Sequence, residues 1–130
     1  MAAECPQVRH WLFARTSLVI HHGGSGTTHS AARAGVPSVV LPFAGDQPFW
    51  AERLRRLGVA PEATSGRDVE ARSLRSAVDA AGTAQMRCRA SVLGEKMRAE
   101  DGLASAVAII ESLVGPRSDA GMGRWKASGA

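Results

Sequence analysis

A run of β-branched and apolar residues, Ser17-Leu18-Val19-Ile20-His21, stops abruptly at His22-Gly23-Gly24-Ser25-Gly26-Thr27-Thr28. It reads as a buried strand meeting a glycine loop, and no other feature constrains the fold as much. Small, helix-tolerant residues fill 27–34, Gly35 stands where a left-handed helix cap belongs, and Pro37 follows. The next apolar run, Ser38-Val39-Val40-Leu41, lacks alternation and closes at Pro42, as expected of a strand covered on both faces. Strand, helix and strand make a right-handed βαβ unit, and the fold class is α/β with a parallel sheet.

After the second strand, the loop Phe43-Ala44-Gly45-Asp46-Gln47 leads to Pro48, placed as the first residue of a helix that runs to about Leu57. Gly58 stops that helix, and Val59-Ala60 reads as a short edge strand. Helices are predicted over 68–81, 84–100 and 101–114, the last with Leu103, Val107, Ile110 and Val114 on one stripe. The sequence therefore predicts one domain over 1–114 with a helical C-terminal region. Residues 115–130, rich in glycine and serine, are expected to be a disordered tail.

Composition narrows the function classes. The chain has 130 residues, 45% apolar and 22% charged, enough for one core and not for two. Its net charge of +4 suits an anionic ligand. The basic residues are scattered, however, and Glu52 interrupts the densest group, Arg53, Arg55 and Arg56, so nucleic-acid binding is not expected. Cys5 and Cys88 form neither a disulfide framework nor a zinc motif, which points to a reducing, cytoplasmic setting. There is no apolar run near Met1 and no stretch of about 18 uncharged apolar residues, so neither export nor a membrane span is expected. Adjacent His21 and His22 point to opposite faces of a strand, and no metal site is expected.

A strand, a glycine turn and a helix N-terminus in that order gather unpaired N–H groups at the positive end of a helix dipole, the ordinary setting for phosphate. Ser25, Thr27 and Thr28 add hydroxyls and His22 an imidazole. The loop is neither GxGxxG nor a Walker loop, because His29 replaces the third glycine and no Gly-Lys-Ser/Thr follows. Two readings fit these residues: a phosphate cradle, or a tight turn with Thr27 as N-cap. Asp46 and Gln47, on the same carboxyl edge of the sheet, suit a hydroxyl-rich ligand; the alternative is a solvated loop with Asp46 capping the next helix. For Trp11, Phe13 and Phe49 the alternative to ligand contact is core packing, which is the expectation for Trp50.

Taken together, His21-His22-Gly23-Gly24-Ser25-Gly26-Thr27-Thr28, Ala34-Gly35-Val36-Pro37, Pro42-Phe43 and Gly45-Asp46-Gln47-Pro48-Phe49-Trp50 resemble the donor-binding signature of GT-B fold glycosyltransferases. The similarity is greatest to the sterol glucosyltransferase and antibiotic-aglycone group. It implies a partial Rossmann-like sheet belonging to the C-terminal, nucleotide-sugar-binding domain. His22 would contact the diphosphate, with Gly24, Ser25, Gly26 and Thr27 forming the loop and helix-end donors. Asp46 and Gln47 would hold the transferred hexose, and the interval from His22 to Asp46 matches the plant signature. Gln7, preceded by Pro6, falls where that signature contacts the base. Glu4 stands in place of its base-stacking Trp and Ser30 in place of its ribose-binding Glu, which is compatible with either a UDP- or a dTDP-hexose.

The resemblance further implies inverting transfer to a hydroxyl of a lipophilic acceptor without a metal cofactor. It places the general base in an N-terminal acceptor domain that this chain lacks, along with the first strands of the sheet. The expected partners are the sugar donor and that missing domain or a separate partner chain, with no catalytic residue here. The sequence leaves two alternatives open: a non-catalytic nucleotide- or anion-binding module, and a structural interaction domain.

Overall fold

The computed structural model describes residues 11–114, which divide into two compact units, one running to Ala99 and the other beginning at Glu100. Gln7 and the 115–130 tail lie outside the described residues. In the first unit, β1 (Val19–His21), α1 (Ser25–Ala34) and β2 (Ser38–Val40) form the expected unit. The strands are parallel, in register Val19 with Ser38, Ile20 with Val39 and His21 with Val40. α2 (Gln47–Arg56), α3 (Ala71–Ala81) and α4 (Ala84–Ala99) follow.

β1 begins two residues later than the sequence predicts. Pairing is limited by β2, which lies between Pro37 and Pro42, neither of which has an N–H to extend the ladder. The last bonds of the pairing are Val19 N–H to the Pro37 carbonyl and Leu41 N–H to the His21 carbonyl, each 2.9 Å. Val59 and Ala60 are buried but form no strand. Val59 accepts one bond from Ser38 N–H at 3.0 Å, and Pro61 then ends any further pairing. α3 also starts late, because Ser65 and Asp68 engage each other in a local turn and Glu70 takes the N-cap position.

Alternation along β2 divides the core. Val40 packs with Ala51, Leu54, Val59, Ala60 and Ala90 on the side of α2 and α4. Val39 packs on the other side with Ala77 and Ala81 of α3. Both faces of β2 are therefore covered, as its unbroken apolar run predicts. A third cluster sets Phe13 and Val19 against Ala31 of α1.

α1 ends at Gly35, whose φ of 78° is the left-handed cap read from the sequence. α4 crosses close to this point: a Cβ on Gly94 would stand 2.6 Å from Gly35 Cα. Two arginines clasp the crossing, Arg33 donating to the Met97 carbonyl and Arg98 to the Arg33 carbonyl.

In the second unit, α5 (Gly102–Val114) is capped by Asp101, whose Oδ1 accepts the Ala104 N–H at 2.9 Å. No helix among the described residues is long and apolar enough to cross a membrane.

Candidate functional site: two loops at the carboxyl ends of the strands

The chain leaves β1 through Gly23, buried and at φ 92°, a backbone geometry that favours glycine. Gly24 is the N-cap of α1, and its carbonyl accepts the first helical bond, from Thr28 N–H at 2.9 Å. The N–H groups of Ser25, Gly26 and Thr27 precede that bond and have no carbonyl in the helix to reach. Nothing else satisfies them locally: there is no side-chain cap and no acid in the first turn. The reading of Thr27 as N-cap is therefore corrected, since the helix has already begun at Ser25. Gly24 can take the cap position because its backbone is extended there, and it brings no side-chain acceptor to compete for the amides.

His22 is exposed, and its ring lies over Gly24, where a Cβ would stand 2.6 Å from Nε2. A Cβ on Gly26 would meet nothing within 4 Å, so the mouth of the loop is open. The result is a group of N–H donors, with hydroxyls at Ser25 and Thr27 and an imidazole alongside, at the positive end of a ten-residue helix.

His21 faces the other way and is buried. Its Nδ1 accepts the Gly23 N–H at 3.1 Å, so the neutral ring carries its proton on Nε2, which finds no partner among the described residues. Burial, aided by nearby His22, pulls its pKa from 6.5 down to about 4. Its part in shaping the turn was not read from the sequence. Strand alternation, which puts Val19 and His21 on the same buried face, was the signal available.

The second loop turns at Gly45, φ 66°, into α2. Gln47 is the first residue of that helix and Pro48 the second, one position later than expected. Asp46 occupies the N-cap position without making a capping bond; instead its Oδ2 accepts the Trp50 indole N–H at 2.9 Å. Gln47 Oε1 accepts the N–H groups of Phe43 and Ala44 at 2.7 and 3.2 Å. Its amide NH₂ is left as a pure donor.

Trp50 is half-buried, which corrects its placement in the core: its ring meets the edges of His29 and Phe49, and its N–H serves Asp46. Among the other aromatic residues, Phe13 is core while Trp11 and Phe49 are exposed. Beside Trp50 a groove of about 440 Å³ opens between α1, α2 and α4, edged by His29, Arg53 and Met97. In the basic group of α2, Glu52 pairs with Arg55 and Arg56 at 2.6 and 2.7 Å, and both hold its carboxyl down at about 2.

The two loops touch. A Cβ on Gly23 would stand 3.1 Å from the Gln47 carbonyl oxygen and 3.4 Å from Gln47 Cβ. His22, Gly24, Ser25, Gly26 and Thr27 thus share one edge of the sheet with Asp46 and Gln47.

Residues 7–113 match the family described as erythromycin biosynthesis protein CIII-like, C-terminal domain. The chain belongs to this family. The chain is 46% identical over 114 residues to O-mycaminosyltylonolide 6-deoxyallosyltransferase of Streptomyces fradiae, covering 85% of this chain and 26% of that protein. It is 39% identical over 97 residues to a sterol 3-beta-glucosyltransferase of Arabidopsis thaliana, covering 75% of this chain and 15% of that one. In structure it resembles the glycosyltransferase VinC in complex with dTDP, with a TM-score of 0.70 and 26% identity over 81% of this chain and 27% of VinC. The structural neighbours of the CIII-like domain are GT-B glycosyltransferases, and it is a glycosyltransferase C-terminal domain. It spans about a quarter or less of the length of these relatives.

Proposed function

We propose that residues 1–114 are the C-terminal half of a nucleotide-sugar-binding domain and that the chain binds a UDP- or dTDP-hexose for inverting transfer to a hydroxyl of a lipophilic acceptor. The observation that carries this reading is the open N-terminus of α1, with three N–H groups unmet in the helix, set against the backbone of Gln47. The diphosphate sits on the amides of Ser25, Gly26 and Thr27 beside His22. Asp46 accepts from, and Gln47 donates to, hydroxyls of the hexose, while Gln7 is assigned to the base. The dTDP complex of VinC and the macrolide- and sterol-directed names of the relatives support the donor and acceptor classes.

In direct displacement at the anomeric carbon, negative charge builds on the departing nucleoside diphosphate. Fixed N–H dipoles and the His22 imidazole stabilise that charge more in the transition state than in the bound donor, so no metal ion is required. In the whole transferase the base that deprotonates the acceptor, and the acceptor pocket itself, come from an N-terminal domain or a partner chain. A cytoplasmic setting accords with the exposed thiol of Cys88, which is free among the described residues.

Calorimetric titration of the full chain with UDP, dTDP, UDP-glucose and dTDP-glucose tests this reading. Binding of at least one nucleotide is expected, with His22→Ala weakening it several-fold while the thermal midpoint stays nearly unchanged. Absence of nucleotide binding, or equal binding by the variant, would contradict it.

A further inference from the structure

We propose that Trp50 is a positioning residue for the hexose-binding carboxylate, an inference that rests on the donor-binding reading above. An aspartate at an N-cap ordinarily folds its carboxylate down onto the first free N–H groups of its own helix. Asp46 stands at that position and makes no such bond. Its Oδ2 is taken by the Trp50 indole N–H, a group that can only donate, at 2.9 Å from one turn further along the helix. The Asp46 backbone is helical, at φ −83° and ψ −3°, and not extended as in a capping residue, so the indole fixes a carboxylate already turned from the cap and leaves Oδ1 available to a ligand.

The indole is itself located from two sides. Its ring meets the edge of His29 with centroids 5.1 Å apart and that of Phe49 at 5.2 Å. His29 is fixed in turn through Nδ1, 2.8 Å from the Ser25 carbonyl oxygen. A carbonyl only accepts, so Nδ1 carries the proton and the ring orientation follows from α1. A line of contacts therefore runs from Ser25, at the diphosphate loop, through His29 and Trp50 to Asp46. Gln47 has its own tether, the N–H groups of Phe43 and Ala44, and does not depend on Trp50.

The experiment compares the full chain with Trp50→Phe, Asp46→Ala and the double variant, measuring affinities for UDP, UDP-glucose, dTDP and dTDP-glucose by calorimetry. The quantity read is the affinity gained when glucose is attached to the nucleotide. Trp50→Phe keeps an aromatic ring against His29 but removes the donor. It is expected to reduce that gain by about five- to tenfold, less than the net worth of one hydrogen bond to a charged group because the carboxylate itself remains, with affinity for the bare nucleotide unchanged. On the Asp46→Ala background the same substitution is expected to change nothing further, which a purely structural role would not produce. Phe49→Leu, which loosens one of the two contacts that locate the indole but leaves its N–H donor in place, is expected to lose much less of the gain than Trp50→Phe. Retention of the full gain in Trp50→Phe, or an equal loss on both backgrounds, would overturn the proposal. If a nucleotide binds but glucose adds nothing in the unaltered chain, the Asp46 assignment and this inference fall while diphosphate binding stands. If no nucleotide binds, the donor-binding reading itself has failed.

Discussion

Gly23 lies directly against Gln47: the turn that ends β1 and the first residue of α2 are in backbone contact, with room for no side chain between them. At φ 92°, with a Cβ only 2.8 Å from Val40 Cγ1 and 3.1 Å from the Gln47 carbonyl, alanine here is both strained and crowded. Gly23→Ala should destabilise the fold by about 1–3 kcal/mol and part the two loops. Urea denaturation gives the stability and a nucleotide titration the binding; a variant as stable as the parent would count against the contact.

Gly24 presents a separable case. Its φ of −62° is open to any residue, and the nearest obstacle to a side chain is the His22 ring, 2.6 Å from the Cβ position. Gly24→Ala is therefore expected to displace His22 and weaken UDP or dTDP binding several-fold, with a smaller loss of stability than Gly23→Ala. Comparing the two variants by denaturation and calorimetry separates a fold effect from a site effect.

The crossing of α1 and α4 depends on two glycines. Gly94→Ala would place a methyl 2.6 Å from Gly35 Cα, where the neighbour is backbone and has no rotamer to yield. A loss of about 1–3 kcal/mol is expected, visible as a lower denaturation midpoint, whereas Gly26→Ala meets nothing within 4 Å and should leave the packing untouched.

His21 gives the fold a pH dependence. Its pKa falls from 6.5 to about 4, so between those values the unfolded chain takes up a proton that the folded chain refuses. Its contribution is complete above about pH 6.5 and declines as pH falls towards 4, by up to about 3 kcal/mol. Protonation of Nδ1 would also remove the acceptor for the Gly23 N–H. Denaturation at pH 7.5 and pH 4.5 should show a steeper loss for the parent than for His21→Leu; parallel losses would contradict the assignment.

The βαβ unit was legible in the sequence because its signals are local: an apolar run, a glycine loop, a glycine cap and a proline-bounded second run. What escaped depends on contacts between distant residues or on competition for a single group. The helix begins at Ser25 because Gly24 accepts the first bond, and a glycine N-cap carries no side-chain signature. Val59 and Ala60 look like a strand until Pro61 and a single bond to Ser38 are taken into account. Among the site residues, His22, Gly24, Ser25, Gly26, Thr27, Asp46 and Gln47 lie on one edge, as their order along parallel strands requires. The bond from Trp50 to Asp46 was not foreseeable, because a tryptophan on a helix after an apolar loop more often fills a core than holds a carboxylate.

The central claim is that the free amides at the start of α1 receive a diphosphate. A ¹⁵N-labelled sample titrated with UDP and, separately, with dTDP reads those amides one by one. Ser25, Gly26 and Thr27 are expected to shift together along one saturating curve with at least one of the nucleotides. Nucleotide binding that leaves these three resonances in place, or no binding at all, would contradict it.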